Sequence, residues 1–315
     1  MKSADWRYVQ LVEQDRTTAE SADEAWDRAS GELRLRYEDV SQEGMVRLEA
    51  LSTSVGVVWE RLLRGLAISS TLRQQGILPI LSEMHVDSLP GPFAVGPLAV
   101  TGGASFARTR DAEGQSDRVF LDLSAQISGP LGRTNMPAPA HAGQPRPAGR
   151  LFARHTCTRP FAPADQRRVR DMPELEAQGV TLHDVAASEP HKIATLLPSD
   201  APLAPDLALD ANVLQVGLRH TDSNQHVNSL VYIQAFEEAC LRHLGGLGVS
   251  TGRLWATSVR VAYRKPSFAG ESLRIRLRGF EHEGGFGAVG VFLGAHAAPD
   301  EKARAFLRMQ LQHAS

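Results

Sequence analysis

One short stretch concentrates the side chains best suited to polar chemistry: His220-Thr221-Asp222-Ser223-Asn224-Gln225-His226-Val227-Asn228, followed by Tyr232 and the pair Glu237-Glu238. An imidazole titrates near neutrality, so His226 can position or deprotonate a water. Asp222 can polarise that water, orient His226, or attack a carbonyl directly to give an anhydride. Asn224 can orient a carbonyl or a water without changing charge. These residues fall where a strand pattern hands over to a helix pattern. The first N–H groups of a helix lack internal partners and can face a developing negative charge, such as that on a thioester carbonyl under attack. Catalysis is the leading reading of Asp222, Asn224 and His226, ahead of binding without turnover and of a purely structural polar turn. Glu237 is a further candidate, in a catalytic or supporting role, although solvation of a helix surface explains a Glu-Glu pair equally well.

The elements that must position this stretch occur twice. Leu33 to Tyr37 alternates like a strand, and so does Val213 to Leu218. A polar turn follows each, Asp39 to Gly44 in one case and Thr221 to Gln225 in the other. Helical spacing comes next, with an apolar face of Leu48, Leu51, Val55, Val58, Leu62 and Leu63, and then of Leu230, Ile233, Phe236, Cys240 and Leu244. Gly65 and Gly245-Gly246 mark the expected helix ends. Strand-like segments then dominate both halves: Ile77 to Val86, Leu98 to Ala107, Val119 to Ile127 and Leu151 to Thr158, against Leu254 to Tyr263, Ser272 to Phe280, Phe286 to Leu293 and Ala303 to Leu311. Pro90 and Pro266 interrupt the chain after the first long strand of each set. The order predicts a diverged internal duplication. Residues 1–161 form the first unit, 162–207 a proline-rich connector with at most short helices, and 208–315 the second unit. The Pro/Ala/Gly-rich stretch 131–149 is an insertion in the last hairpin of the first unit, where the second has only Ala298-Pro299-Asp300-Glu301. A helix set against a curved antiparallel sheet buries one face of each, and two such units side by side can continue the sheet and cover an edge strand.

Composition narrows the classes. With 315 residues and 42% hydrophobic content, the chain supports a substantial core or two ordinary domains. The 34 basic and 36 acidic side chains nearly cancel, which argues against a general nucleic-acid coat. The 2 cysteines, Cys157 and Cys240, cannot build a disulfide framework or a four-cysteine zinc site. Met1 to Trp6 is not followed by an apolar export segment, and no later run is long enough to span a bilayer. A cytoplasmic protein without membrane insertion is the expectation. No Gly-rich phosphate loop, zinc-protease motif or calcium loop is present, and no metal or organic cofactor is expected.

The segment Asp222-x-Asn224-x-His226-Val227-Asn228-Ser229, followed by Tyr232, resembles the signature of hot-dog fold thioesterases, particularly the plant and bacterial acyl-ACP thioesterases. Ala262-Tyr263-Arg264-Lys265-Pro266 through Gly270-Glu271 is similar to that family's second strand and bend. The resemblance implies an α+β architecture of two fused hot-dog units, each a curved antiparallel sheet wrapped around a long helix. It further implies hydrolysis of an acyl thioester of ACP or CoA, with catalytic roles for the Asn and His of the motif and a catalytic or structural role for the Asp. The expected assembly is a monomer with an internal pseudo-dimer, or a dimer of such chains.

Departures from the family pattern sharpen the questions. The plant enzymes carry a Glu-Cys pair after the downstream tyrosine, where this chain has Pro266-Ser267. In the first unit Ser41 stands opposite Asp222, Glu43 opposite Asn224 and Met45 opposite His226. Methionine cannot transfer a proton, so this half is expected to have lost the chemistry and to supply a wall of the pocket. Trp59 and Tyr263 are expected in packing roles, and Cys240 as a small buried hydrophobe. His155 and Cys157 share one side of a strand, a weak pairing signal. Arginines between Arg154 and Arg170, and Arg264-Lys265, are candidate receivers of CoA phosphates or of an acidic carrier surface. Hydration or dehydration of an acyl thioester, and binding of one without turnover, are the alternatives to hydrolysis.

Overall fold

The computed structural model describes residues 27–65, 67–135, 137–296 and 301–313, with side-chain surroundings left aside for 61–65, 67 and 68. All twelve described strands join one continuous, almost wholly antiparallel sheet, in which β1 (Asp27–Arg34), β3 (Pro97–Arg110), β4 (Ser116–Pro130), β5 (Pro145–Thr158) and β2 (Leu78–Ser88) lie side by side. The order then continues through β9 (Leu254–Tyr263), β12 (Ala305–His313), β11 (Gly285–Gly294) and β10 (Ser272–His282), with β8 (Ala208–Gln215) on the outer edge of β10. The seam between the units is the β2–β9 pair, from Glu83↔Ala262 to Asp87↔Ser258. Each unit therefore covers part of the edge strand of the other.

Sequence spacing explains the helix of the second unit. In α5 (Ser229–Gly246) the side chains of Ile233, Phe236, Cys240 and Leu244 are fully buried, at the three- and four-residue steps of one helical face. Leu230 packs at the margin of the same core. The helix ends at the expected pair Gly245-Gly246; beyond it Gly248 takes the left-handed conformation (φ 87°), and Val249 N–H closes on Leu244 O.

The first unit departs further from expectation. Its helix is broken into α1 (Leu48–Ser52), α2 (Val55–Gly65) and α3 (Ala67–Gln74). The break has a local cause. Ser52 Oγ donates to Leu48 O and Thr53 Oγ1 to Ala50 O, and such back-bonding competes with the helical ladder. Leu48, Leu51 and Val58 are buried as expected, while the side chains of Leu62 and Leu63 lie outside the described residues. Gly65 ends only the middle piece, and the left-handed glycine that follows the last piece is Gly76 (φ 65°).

The proline-rich insertion is shorter than expected, because Pro145 and Pro147 pair with Pro130 and Ser128 and extend β5. Beyond Gly149 the other side of β5 has no ladder to β2, so prolines there interrupt nothing. The matching turn of the second unit falls on 297–300, outside the described residues. The connector carries α4 (Pro173–Ala177), β6 (Leu182–Asp184) against β3, and β7 (Ala201–Pro202) against β10. It is fastened to the second unit by the buried pair of Asp200 with Arg308, at 2.8 and 3.0 Å.

Candidate active site

The turns preceding α1 and α5 have the same backbone frame. In the second unit Asp222 N–H bonds His226 O, Gln225 N–H bonds Asp222 O, and Asn228 N–H bonds His220 O. In the first, Ser41 N–H bonds Met45 O, Gly44 N–H bonds Ser41 O, and Arg47 N–H bonds Asp39 O. The bridges Thr221↔Val227 and Val40↔Val46 complete the correspondence. Ser41 thus stands opposite Asp222, Glu43 opposite Asn224 and Met45 opposite His226, as the spacing in the sequence predicts.

Asp222, Asn224 and His226 share this one turn, but their side chains have different partners. Asp222 Oδ1 accepts the N–H of Asn224 at 2.8 Å, an Asx turn that shapes the loop. Asp222 and Asn224 are exposed, and His226 is half-buried with its ring edge-to-face against Phe268, centroids 5.2 Å apart. Gln225 holds a left-handed backbone (φ 64°), which is costly for a residue other than glycine.

The expectation that the first helical amides face the reacting carbonyl is only partly met. Asn228 caps α5, its side chain accepting Leu230 N–H at 2.9 Å and its carbonyl accepting Val231 N–H at 3.0 Å. Those two donors are engaged within the cap. His220 closes the preceding turn: its Nδ1 accepts Gly217 N–H at 3.0 Å.

The bend after β9 supports the turn, and sequence reasoning passed over most of it. Val227 N–H bonds Ser267 O at 2.8 Å, and Tyr232 OH donates to the buried Ser267 Oγ at 3.0 Å. Arg304, itself buried, donates to Pro266 O at 2.7 Å. The signal was in plain view: Pro266-Ser267 stands where the family pattern carries Glu-Cys. Tyr232 also packs edge-on against Tyr263 and Phe292, and Tyr263 OH reaches Ser229 O at 3.2 Å. Both tyrosines brace the start of α5.

Glu237 sits about two turns into α5, and its charged surroundings come from the other unit. Burial, reinforced by the carboxylate of Glu49, pushes Glu237 up to about 7, with Arg47 opposing. Glu49 lies on α1, which packs against α5; it is raised chiefly by burial, and its Oε2 is enclosed without a hydrogen-bond partner. Glu237 thus keeps company with Glu49 and Arg47 beside the first unit's turn, not with Asp222 or His226.

Elsewhere, Trp59 packs edge-on against the buried ring of His155, centroids 5.0 Å apart. Burial lowers His155 to about 4 and pushes the Cys157 thiol up to about 12, so neither is poised as a nucleophile–base pair. Cys240 is fully buried and raised for the same reason. Among the connector-side arginines, Arg154 makes a two-pronged bond to Asp122 (2.8 and 2.7 Å) and Arg168 bonds Asp117 at 2.6 Å. Those pairs stabilise the sheet. Arg264 remains exposed, while Lys265 meets Glu301 at 3.3 Å. Among the described residues no group of three or more His, Cys, Asp or Glu is arranged to hold a metal ion, and no helix is long and apolar enough to cross a membrane.

A helix backed by a curved antiparallel sheet, repeated with the sheets joined edge to edge, is the double hot-dog fold. Solved structures share it over nearly the whole chain. A candidate oleoyl thioesterase from Lactobacillus plantarum is 13% identical with a TM-score of 0.60, covering 92% of this chain and 97% of its own. The 12:0-ACP thioesterase from Umbellularia californica is 12% identical with a TM-score of 0.58, covering 91% and 94%. An acyl-ACP thioesterase from Bacteroides thetaiotaomicron is 12% identical with a TM-score of 0.54, covering 90% and 98%. No family model and no curated protein matches the sequence.

Proposed function

We propose that this chain hydrolyses an acyl thioester, carried on CoA or on an acyl carrier protein, to a free acid and a thiol. The observation that carries this reading is the Asp222–Asn228 turn: Asn224 and His226 are presented on one turn held by bonds within it and by the bond of Val227 N–H to Ser267 O. The company of double hot-dog structures named as thioesterases supports it. In the proposed reaction His226 takes a proton from water as its oxygen bonds to the thioester carbon. The Asn224 amide donates to the oxyanion of the tetrahedral intermediate. The intermediate collapses, the C–S bond breaks, and His226 returns the proton to the departing thiolate. Asp222 shapes the turn through Oδ1 and has Oδ2 to orient the water. The reading places the site residues in a second unit at 208–315, joined by the connector 162–207 to a first unit at 1–161 that serves as a wall.

A thiol-release screen over acyl chain lengths on both carriers tests this. Wild type is expected to release thiol, and His226→Ala to lose turnover about 10²- to 10⁴-fold while keeping its thermal midpoint. Release at the wild-type rate by the His226→Ala protein, or an enoyl absorbance change without thiol, would overturn the hydrolase reading.

A further inference from the structure

Among the described residues no carboxylate hydrogen-bonds the ring of the proposed base. A catalytic histidine is commonly held by an acid that takes one ring nitrogen and fixes the tautomer. Asp222, the acid of the same turn, bonds that turn's backbone through Oδ1. The position at which the family pattern carries Glu-Cys is Pro266-Ser267, and Ser267 spends its hydroxyl on Tyr232 and its carbonyl on Val227.

What does touch the His226 ring is Phe268. The two residues form an isolated antiparallel bridge, and their rings meet at 78°. Phe268 is 42% exposed, so its ring is not locked into the core. Its backbone is held firmly nonetheless. Phe268 N–H bonds Glu271 Oε2 at 3.2 Å, Gly270 N–H bonds Val216 O at 2.8 Å, and Arg304 grips the preceding Pro266 carbonyl. A rigid bend thus carries a half-exposed aromatic ring to one place, the imidazole of His226.

We propose that Phe268 is a positioning residue that holds the plane of the His226 imidazole in place of an acid partner. Edge-to-face geometry is the favoured arrangement for such rings, worth about 0.5–1.5 kcal/mol beyond burial. Unlike a carboxylate, a phenyl ring brings no charge to the imidazole.

The proposal rests on His226 acting as the base, and its test separates the two. On the acyl-CoA that wild type hydrolyses fastest, Phe268→Leu is expected to lower kcat by up to about tenfold with KM changed less than about twofold. Phe268→Tyr should recover most of the loss. Leucine keeps the apolar bulk, so a Phe268→Leu enzyme as fast as wild type would overturn the proposal. A second readout needs no substrate: NMR relaxation of the His226 ring carbons should show greater ring motion in Phe268→Leu and wild-type order in Phe268→Tyr. Unchanged order in Phe268→Leu would also overturn it. If wild type releases no thiol from any acyl thioester, the hydrolase reading fails, and the relaxation data still decide the ring contact.

Discussion

The turns at Asp39–Arg47 and His220–Asn228 share the same backbone hydrogen bonds and almost none of the same side-chain chemistry. Ser41, Glu43 and Met45 occupy the frame that in the second unit presents Asp222, Asn224 and His226. Frame and chemistry are therefore separable: the strand-to-helix handover needs the loop, and the loop tolerates either side-chain set. The left-handed position makes the same point. Gly44 holds it in the first unit (φ 84°), where a Cβ would come within 2.5 Å of Pro92. Gln225 holds it in the second (φ 64°), accepting backbone strain beside the candidate base.

The largest stability effect should come from forcing the first turn to resemble the second. Gly44→Ala meets Pro92 and adopts an unfavourable φ, so a loss of about 2–4 kcal/mol is expected in urea denaturation. A neutral result would mean that the Pro90–Pro92 segment yields easily and that the two frames are less alike than their bonds imply.

The next effect lies where the units meet. Glu237 is raised from 4.5 to about 7, so the folded state holds its proton more tightly than the unfolded chain. Its contribution to stability is fully present below about pH 4.5 and is lost as the pH rises through about 7. Glu237→Gln should therefore gain about 1–3 kcal/mol over wild type at pH 8 and change little at pH 4.5. Parallel pH-stability curves for the two proteins would show that Glu237 is not confined beside Glu49.

Tyr232→Phe removes the bond to Ser267 Oγ and should cost about 1 kcal/mol, with a smaller effect on turnover than His226→Ala. The smallest change is Gln225→Gly, expected to stabilise by up to about 1 kcal/mol by relieving the left-handed strain. A destabilised Gln225→Gly protein would mean that the glutamine side chain supports the turn.

Much of the fold was legible in the sequence because periodicity reports burial directly. The β9 limits and the buried positions Ile233, Phe236, Cys240 and Leu244 follow from alternation and helical spacing. The turn alignment was legible too, since it depends on spacing alone. The break between α1 and α2 was not: apolar spacing runs through Ser52 and Thr53, and only their hydroxyl bonds reveal the competition with the ladder. The glycine at the end of α5 was legible, whereas the further piece α3 beyond Gly65 was not. The site was half legible. The motif is local, but Ser267, Phe268 and Arg304 reach it across the sheet, and no spacing rule links residue 226 to residue 268. Glu237 was noticed as a motif neighbour, yet its surroundings come from Glu49 and Arg47, which only the packing of α1 on α5 brings near.

The central claim is that one frame keeps the chemistry and the other has lost it. The direct measurement is thiol release by His226→Ala beside its counterpart Met45→Ala, on the best substrate of wild type, with folding checked by thermal midpoint. The account predicts a loss of at least about a hundredfold for His226→Ala, and near-wild-type kcat for Met45→Ala apart from a modest change in stability or KM. Abolished turnover in a folded Met45→Ala protein, with His226→Ala still active, would contradict it.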